Sequence, residues 1–375
     1  MSAPPLVERF AGLPPMDVAG RAPRLREAVA TAGADALLVT SLTNLRYLTG
    51  FTGSAGLVVV TPDELVLVTD GRYSEQAHDQ VADAGVSARV EITGTEQRRV
   101  VTSAVGECRR IGLEAEHVTW AAQRRYATEW FEGLELLPTT GLVEDLRRTK
   151  DDGELARMEL AAAVADAALA ELRPRLVEGP TEAEFALELD ATMRRMGATR
   201  PSFETIVASG PNGARPHARP SARHIARGDL VVLDFGAVVD GYCSDMTRTV
   251  GVGELDETSR RMLEVVTAAQ AAGVAAVGPG VSARTVDAAC RDLIAEAGWA
   301  DAFSHGTGHG VGLDIHEEPR VSTRSTATLT AGHVVTVEPG VYLPELGGVR
   351  IEDTVLVTDD GCDRLTLAPK EPALP

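Results

Sequence analysis

Residues 24–145 alternate between the two periods of regular secondary structure. "RLREAVATAGA" (24–34) spaces its apolar residues as an amphipathic helix does and ends near Gly33. "DALLVT" is a short apolar run of the kind that makes a buried strand. "GLVVVTPDELVLVTDG" is two apolar runs around Pro62-Asp63-Glu64, the pattern of a hairpin, and "RRIGLEAEHVT" holds a further strand. Strands interleaved with helices predict an α/β layer. A charged junction, "EDLRRTKDDGELARMEL", then runs into a long Ala-rich helix. We place the domain boundary there, giving domains 1–147 and 148–375.

The second domain carries an internal repeat. "TEAEFALELDATMRRMG" (181–197) and "SARTVDAACRDLIAEAG" (282–298) each open on a hydroxyl N-cap, Thr181 or Ser282, and close on a glycine, Gly197 or Gly298. Thr181 with Glu184 fits a capping box. Phe185 aligns with Val286, Leu189 with Cys290 and Met193 with Ile294. Each helix follows a Gly/Pro turn and precedes a hairpin-like β segment. The pattern predicts an α+β domain of two related halves.

Those β segments hold misplaced acids. In "LVVLDFGAVVDGYCSDMTRTV" (230–250), Asp234 sits inside an apolar strand. A turn at Val239-Asp240 puts it directly opposite Asp245; a turn one residue later makes the pair diagonal. Either way the carboxylates share a face. In "HVVTVEPGVYLPELGGVRIEDTVLVT" (333–358), Glu338 closes one apolar strand and Glu352 lies inside the returning one, with Arg350 two residues earlier on the same face. Four buried acids without counter-charge are prohibitively costly. Two divalent cations cancel them, and one neutral imidazole completes an oxygen-rich site suited to Mn²⁺, Co²⁺ or Fe²⁺ at least as well as Zn²⁺. Such a pair of ions sits about 3.5–4 Å apart. "SHGTGHGVGLDIHEEPR" (304–320) supplies three candidate imidazoles, His305, His309 and His316, out of eight histidines in the chain.

Bulk composition narrows the partners. Lys+Arg is 36 against 55 Asp+Glu, a formal charge of −19, so nucleic acid and anionic membranes are poor partners. No run of about 18 apolar residues predicts a transmembrane helix. "MSAPPLVERFAGLPP" has no apolar signal-peptide core, and four scattered cysteines make no CxxC pair. The expectation is a cytoplasmic protein with reduced thiols.

"HGTGHGVGLDIH" resembles the motif of the pita-bread metallopeptidases, in the aminopeptidase P and prolidase branch. The resemblance takes in Asp234, Asp245, His309, Glu338 and Glu352 in order, and it reaches "LTNLRYLTGFTGSAG" and "TDGRY", which resemble the creatinase-type N-terminal domain. It implies an α/β N-terminal domain followed by a pita-bread domain with a pseudo-twofold repeat. It implies that those five residues bind two divalent ions, most simply manganese with cobalt or zinc as alternatives, and that His305 and His316 lie behind the ligands or on the substrate side. It further implies that Glu338 also accepts a proton, that His217 in "GPNGARPHARP" and His316 hold the substrate carbonyl, and that Arg350 orients Glu352 or its neighbours. Tyr342 fits a proline-selective pocket by position. The implied reaction is cleavage of Xaa–Pro bonds at the N-terminus of peptides by a homodimer or larger homo-oligomer. Arg320 stands where some prolidases carry an arginine, which keeps a Xaa-Pro dipeptidase as the alternative; a metal-stabilised binding protein of the same fold, without turnover, is the further one. Creatinase and binding-only relatives share the fold without this ligand set.

Overall fold

The computed structural model describes residues 6–370 and 373–374. The chain forms two compact units. One is Pro15–Arg147; the other is Arg148–Pro375 together with the segment that ends at Pro14.

In the first unit a six-stranded mixed sheet runs in the order Arg89–Ile92, Leu65–Thr69, Leu57–Val60, Ala36–Val39, Arg110–Glu114, Glu135–Thr139. Leu57–Val60 and Leu65–Thr69 form the hairpin expected around Pro62. Residues 36–39 are all buried, as a strand covered on both faces requires. The helix Arg21–Thr31 ends before Gly33, whose φ of +80° suits a residue without Cβ. At the end of Arg110–Glu114 the Glu114 carboxylate accepts from Thr40 N (2.6 Å), Ser41 N (2.9 Å) and Asn44 Nδ2 (2.8 Å). It thereby pins the start of the helix Leu42–Thr49.

The sequence expectation put residues 1–147 in one domain. The described residues 6–14 belong instead to the second unit. Leu6, Phe10 and Leu13 pack onto its core, which gives this short segment an apolar surface to cover.

The second unit is twofold. Each half pairs a long helix with a shorter one: Asp152–Leu172 with Glu182–Arg195, and Glu257–Ala276 with Ala283–Glu296. Thr181 and Ser282 cap the shorter helices by accepting from Glu184 N and Thr285 N, and both also make a lone β-bridge, to His224 and Thr328. The aligned residues Phe185, Leu189 and Met193, and Val286, Cys290 and Ile294, are all buried, one set in each of two apolar cores. Each half also contributes a sheet. One runs Ala373–Leu374, Met246–Val252, Leu230–Phe235, Ile206–Ser209; the other runs Glu317–Val321, Gly308–Gly310, Val334–Val337, Asp353–Val357, Cys362–Arg364. At the centre of each lies an antiparallel hairpin. Among the described residues no helix is long and apolar enough to cross a membrane.

Candidate active site

The first hairpin pairs Asp234 with Thr247 and Val239 with Tyr242. The turn is therefore Asp240-Gly241, where φ is +43° and +80° at the two residues, as a tight hairpin turn demands. Of the two registers the sequence allowed, the later one forms, and Asp245 lies diagonal to Asp234 rather than opposite it. In the second hairpin, Val337 pairs with Asp353 and Gly340 with Arg350. The same register sets Glu338 against Glu352. Glu352 was expected inside a strand; it lies instead in a break between Gly347–Arg350 and Asp353–Val357. The break turns its side chain toward the first hairpin, where Thr247 Oγ1 donates to Glu352 Oε2 at 2.7 Å.

The acids converge. Asp234, Asp245 and Glu352 each offer an oxygen within 4.8 Å of the others. Asp234 Oδ1 and Glu352 Oε1 are buried and have no hydrogen-bond partner among the described residues. A buried acceptor left unsatisfied is costly, and two beside one another need a cation. His309 enters from the strand Gly308–Gly310. Its Nδ1 lies 2.9 Å from the Gly310 carbonyl, so Nδ1 carries a proton and, in the neutral ring, Nε2 is a lone pair. That lone pair faces Glu338 Oε1 at 3.3 Å and Asp245 Oδ2 at 3.5 Å. Acceptors aimed at one another are the donor set of a metal site, and the residues fit divalent ions. Gly308 and Gly310 make the approach possible. A Cβ there would lie 2.0 Å from Thr336 O and 2.3 Å from Glu318 O.

Burial, followed by repulsion from neighbouring acids, drives the carboxyls of Asp245 and Glu352 well above their ordinary range. Burial also raises Asp234, against the pull of Arg350. Glu338 goes the other way: burial opposes it, but a proton on His309 Nε2, which a bound metal would displace, hydrogen-bonds and charges that side of the site enough to bring it down to about 2. Without cations most of this cluster is pushed toward its neutral form, and cations reverse that.

Arg350 was expected to orient Glu352 or its neighbours. It bonds Asp234 directly, Nη2 to Oδ2 at 2.5 Å, and reaches Glu352 only through Thr247, whose Oγ1 accepts from Arg350 Nε at 3.0 Å. Its Nη1 donates to the Tyr342 hydroxyl (2.7 Å) and to the carbonyl of Pro216 (3.3 Å), next to His217. Tyr342 was expected against the substrate. It is instead buried behind Arg350, where burial lifts its hydroxyl to about 12. The hydroxyl lies 2.9 Å from His305 Nε2, while His305 Nδ1 lies 2.8 Å from the Gly306 carbonyl. The polarity runs Arg350 to Tyr342 to His305 to Gly306, so both His305 nitrogens serve the protein. Burial lowers the pKa of His305, keeping it neutral.

Above this floor opens a cavity of about 370 Å³. His217, His316 and Arg320 are exposed on its wall, beside the apolar side chains of Phe203, Ile206, Pro216 and Ile315. The His316 ring stands edge-on to His309, centroids 4.4 Å apart. Burial and the neighbouring His309 lower His316 to about 4.

Several supporting groups had escaped the sequence reading. Thr336 Oγ1 accepts from His309 N and donates to Glu338 Oε1, both at 3.1 Å. Glu182, fully buried, accepts from Ser209, Asn212 and Ser221, which bracket the loop of His217. Asp287 accepts from Thr307 and pairs with Arg291, which donates to His305 O. Arg248 donates to the carbonyls of Thr247 and Glu352 and to Asp353. Thr247 was within reach of pattern, being two residues from Asp245 on the same strand face. Glu182 was not: an acid in a first helical turn ordinarily just complements the helix dipole.

Fold and cavity together define a metal-dependent hydrolase. The chain belongs to metallopeptidase family M24, whose model matches residues 156–359, and residues 21–149 match the creatinase/prolidase N-terminal domain. Membership brings divalent metal ions and peptide substrates. An uncharacterized peptidase of Bacillus subtilis is 44% identical over 349 residues, 93% of this chain and 98% of that one. The solved structure of an Xaa-Pro dipeptidase from Bacillus anthracis superposes with a TM-score of 0.90 at 40% identity, covering 95% of this chain and 100% of that one. That of an X-Pro aminopeptidase from Thermotoga maritima gives 0.83 at 33% identity, covering 93% and 100%.

Proposed function

We propose that this chain is a dinuclear metallopeptidase that cleaves Xaa–Pro bonds at the N-terminus of peptides, with residues 148–375 as its catalytic part. The observation that carries the reading is the pair of orphaned buried oxygens, Asp234 Oδ1 and Glu352 Oε1, beside the His309 lone pair at the floor of a cavity. Asp234, Asp245, His309, Glu338 and Glu352 would hold two divalent ions. We assign manganese, with cobalt or zinc as alternatives. Bound there, the ions supply a water that loses its proton near pH 7 rather than near 15.7. Glu338, ionised, takes that proton. His316 and His217 donate to the substrate carbonyl and to the charge that grows on its oxygen. The apolar wall of Phe203, Ile206, Pro216 and Ile315 accepts a proline ring, whose amide has no N–H to satisfy. We further read the protein as a cytoplasmic homodimer or larger homo-oligomer, an assembly that sedimentation at micromolar concentration checks.

Arg320 favours a second reading, an Xaa-Pro dipeptidase. Its guanidinium is exposed on the cavity wall, where it can grip the free carboxylate that a dipeptide presents next to the cut bond. The relatives support both, since the two solved structures above carry the two names. A panel of Xaa-Pro dipeptides and Xaa-Pro-Xaa peptides, with Mn²⁺, Co²⁺ or Zn²⁺ added to the stripped protein, tests the proposal. Metal-dependent release of the residue before proline is expected. No cleavage with any metal would overturn the reading.

A further inference from the structure

His316 is borne on an irregular loop, Val311–His316, between the strands Gly308–Gly310 and Glu317–Val321. Nothing in that loop makes a regular ladder, so its shape depends on ties from outside. One carboxylate, next to His316 in the chain, supplies one of them. Glu317 Oε1 accepts from Asp314 N at 3.1 Å. Glu317 Oε2 accepts from Lys150 Nζ at 3.1 Å. The loop folds so tightly on this carboxylate that a Cβ at Gly312 would lie 2.7 Å from both of its oxygens. A second tie, Cys243 N to Gly312 O at 2.8 Å, holds the loop to the first hairpin.

Lys150 is itself anchored. Its backbone N donates to Gly332 O at 2.9 Å, and the preceding Thr149 bridges to His333. The Lys150 and Glu317 side chains are only 1% and 7% exposed. Lys150 does not line the cavity, so it cannot touch a substrate there. A buried ion pair is weak evidence for stability, but removing one partner leaves the other's buried charge less well compensated, which movement of the loop relieves. Any movement of Glu317 carries the adjacent His316 with it.

We propose that Lys150 is a positioning residue: its ion pair with Glu317 fixes the loop that presents His316 to the reacting carbonyl. The inference rests on the peptidase reading above and adds to it a group 166 positions away in sequence from the histidine it serves.

The test is a double-mutant cycle on the full-length, manganese-loaded protein, with an Xaa-Pro peptide as substrate. Lys150→Met should lower kcat about 10–100-fold, the loss that a displacement of roughly 1 Å brings. KM should stay within about threefold and the bound metal unchanged. Lys150→Arg should restore most of the rate. In the His316→Ala background the same Lys150→Met change should cost less than about threefold, since its route to the chemistry is already gone. An equal loss in both backgrounds, loss of metal, or no loss of kcat would overturn the proposal. Should Lys150→Met fail to fold, Glu317→Gln carries the same cycle with the same two outcomes. A wild-type protein that cleaves nothing would instead sink the peptidase reading and this inference with it; an active wild type with additive losses refutes this inference alone.

Discussion

The floor and the wall of the cavity are built on opposite plans. The floor is strand-borne. Asp234 sits within a paired strand, Asp245, Glu338 and Glu352 lie at strand ends or in the break of a hairpin, Thr247 ties Glu352 to the first hairpin, and Thr336 holds Glu338 two residues along its own chain segment. Backbone pairing fixes the positions, and the side chains have little freedom left to lose. The two imidazoles of the wall are loop-borne. His217 and His316 stand on irregular segments whose shape comes from buried charges elsewhere, Glu182 for one and the Lys150–Glu317 pair for the other. The difference teaches where precision has to be absolute. Cations placed among four acids tolerate no slack, whereas a donor to a substrate oxygen has to be near, oriented and able to yield when product leaves.

The contrast predicts graded losses. Asp245→Asn should cut deepest, reducing both bound metal and cleavage to background, because a neutral amide cannot neutralise cations. Atomic absorption on the dialysed variant checks it. His316→Ala should keep the metal and lose about 10²–10³ in kcat, the usual cost of one donor to a developing oxyanion. If that variant came up empty of metal, floor and wall would not be separate parts. Thr247→Val removes the link from Arg350 to Glu352 and should weaken metal affinity about 10–100-fold with the fold intact; a chelator competition titration reads it. Arg320→Ala should raise KM about tenfold for Xaa-Pro dipeptides and leave Xaa-Pro-Xaa tripeptides nearly unchanged, since one charge-assisted contact to an exposed guanidinium is lost. Equal effects on both substrates, or none, would leave the aminopeptidase reading alone.

The smallest effect on the reaction is expected at His333, which belongs to neither part. Burial, with the charges of Lys150 and Arg148, holds its imidazole at about 4 against an ordinary 6.5. The unfolded chain therefore takes up a proton that the folded chain resists. The stability His333 contributes is complete above pH 6.5 and is lost as the pH falls from 6.5 to 4. Urea titrations across that range should show His333→Gln flattening this slope while kcat at neutral pH holds.

The floor was legible because strand pairing converts sequence into space. A polar residue inside an apolar run is conspicuous, and a hairpin has only a few registers, so Asp234 and Asp245 were bound to share a face whichever turn formed. The turn itself resolved on Asp240-Gly241, the dipeptide able to adopt positive φ. The repeat was legible through its caps and its three aligned apolar pairs. The wall was not, because loop geometry depends on groups far away in sequence. Nothing around Lys150 in "RRTKDDG" announces a partner at Glu317. Tyr342 shows the same gap: its place in the chain suggested the substrate, but the hydroxyl needed a partner once buried, and Arg350 and His305 supplied two. The helix Leu6–Ala11 was misassigned because chain order says nothing about which core a terminal segment covers.

The most direct test of the account is the metal content of the protein after loading with Mn²⁺ and removal of free ion. Four acids whose charges have to be cancelled, with two of their oxygens left without any partner, predict close to two ions per chain, retained by the wild type and by His316→Ala and lost by Asp245→Asn. A folded wild-type protein that binds close to none would contradict it.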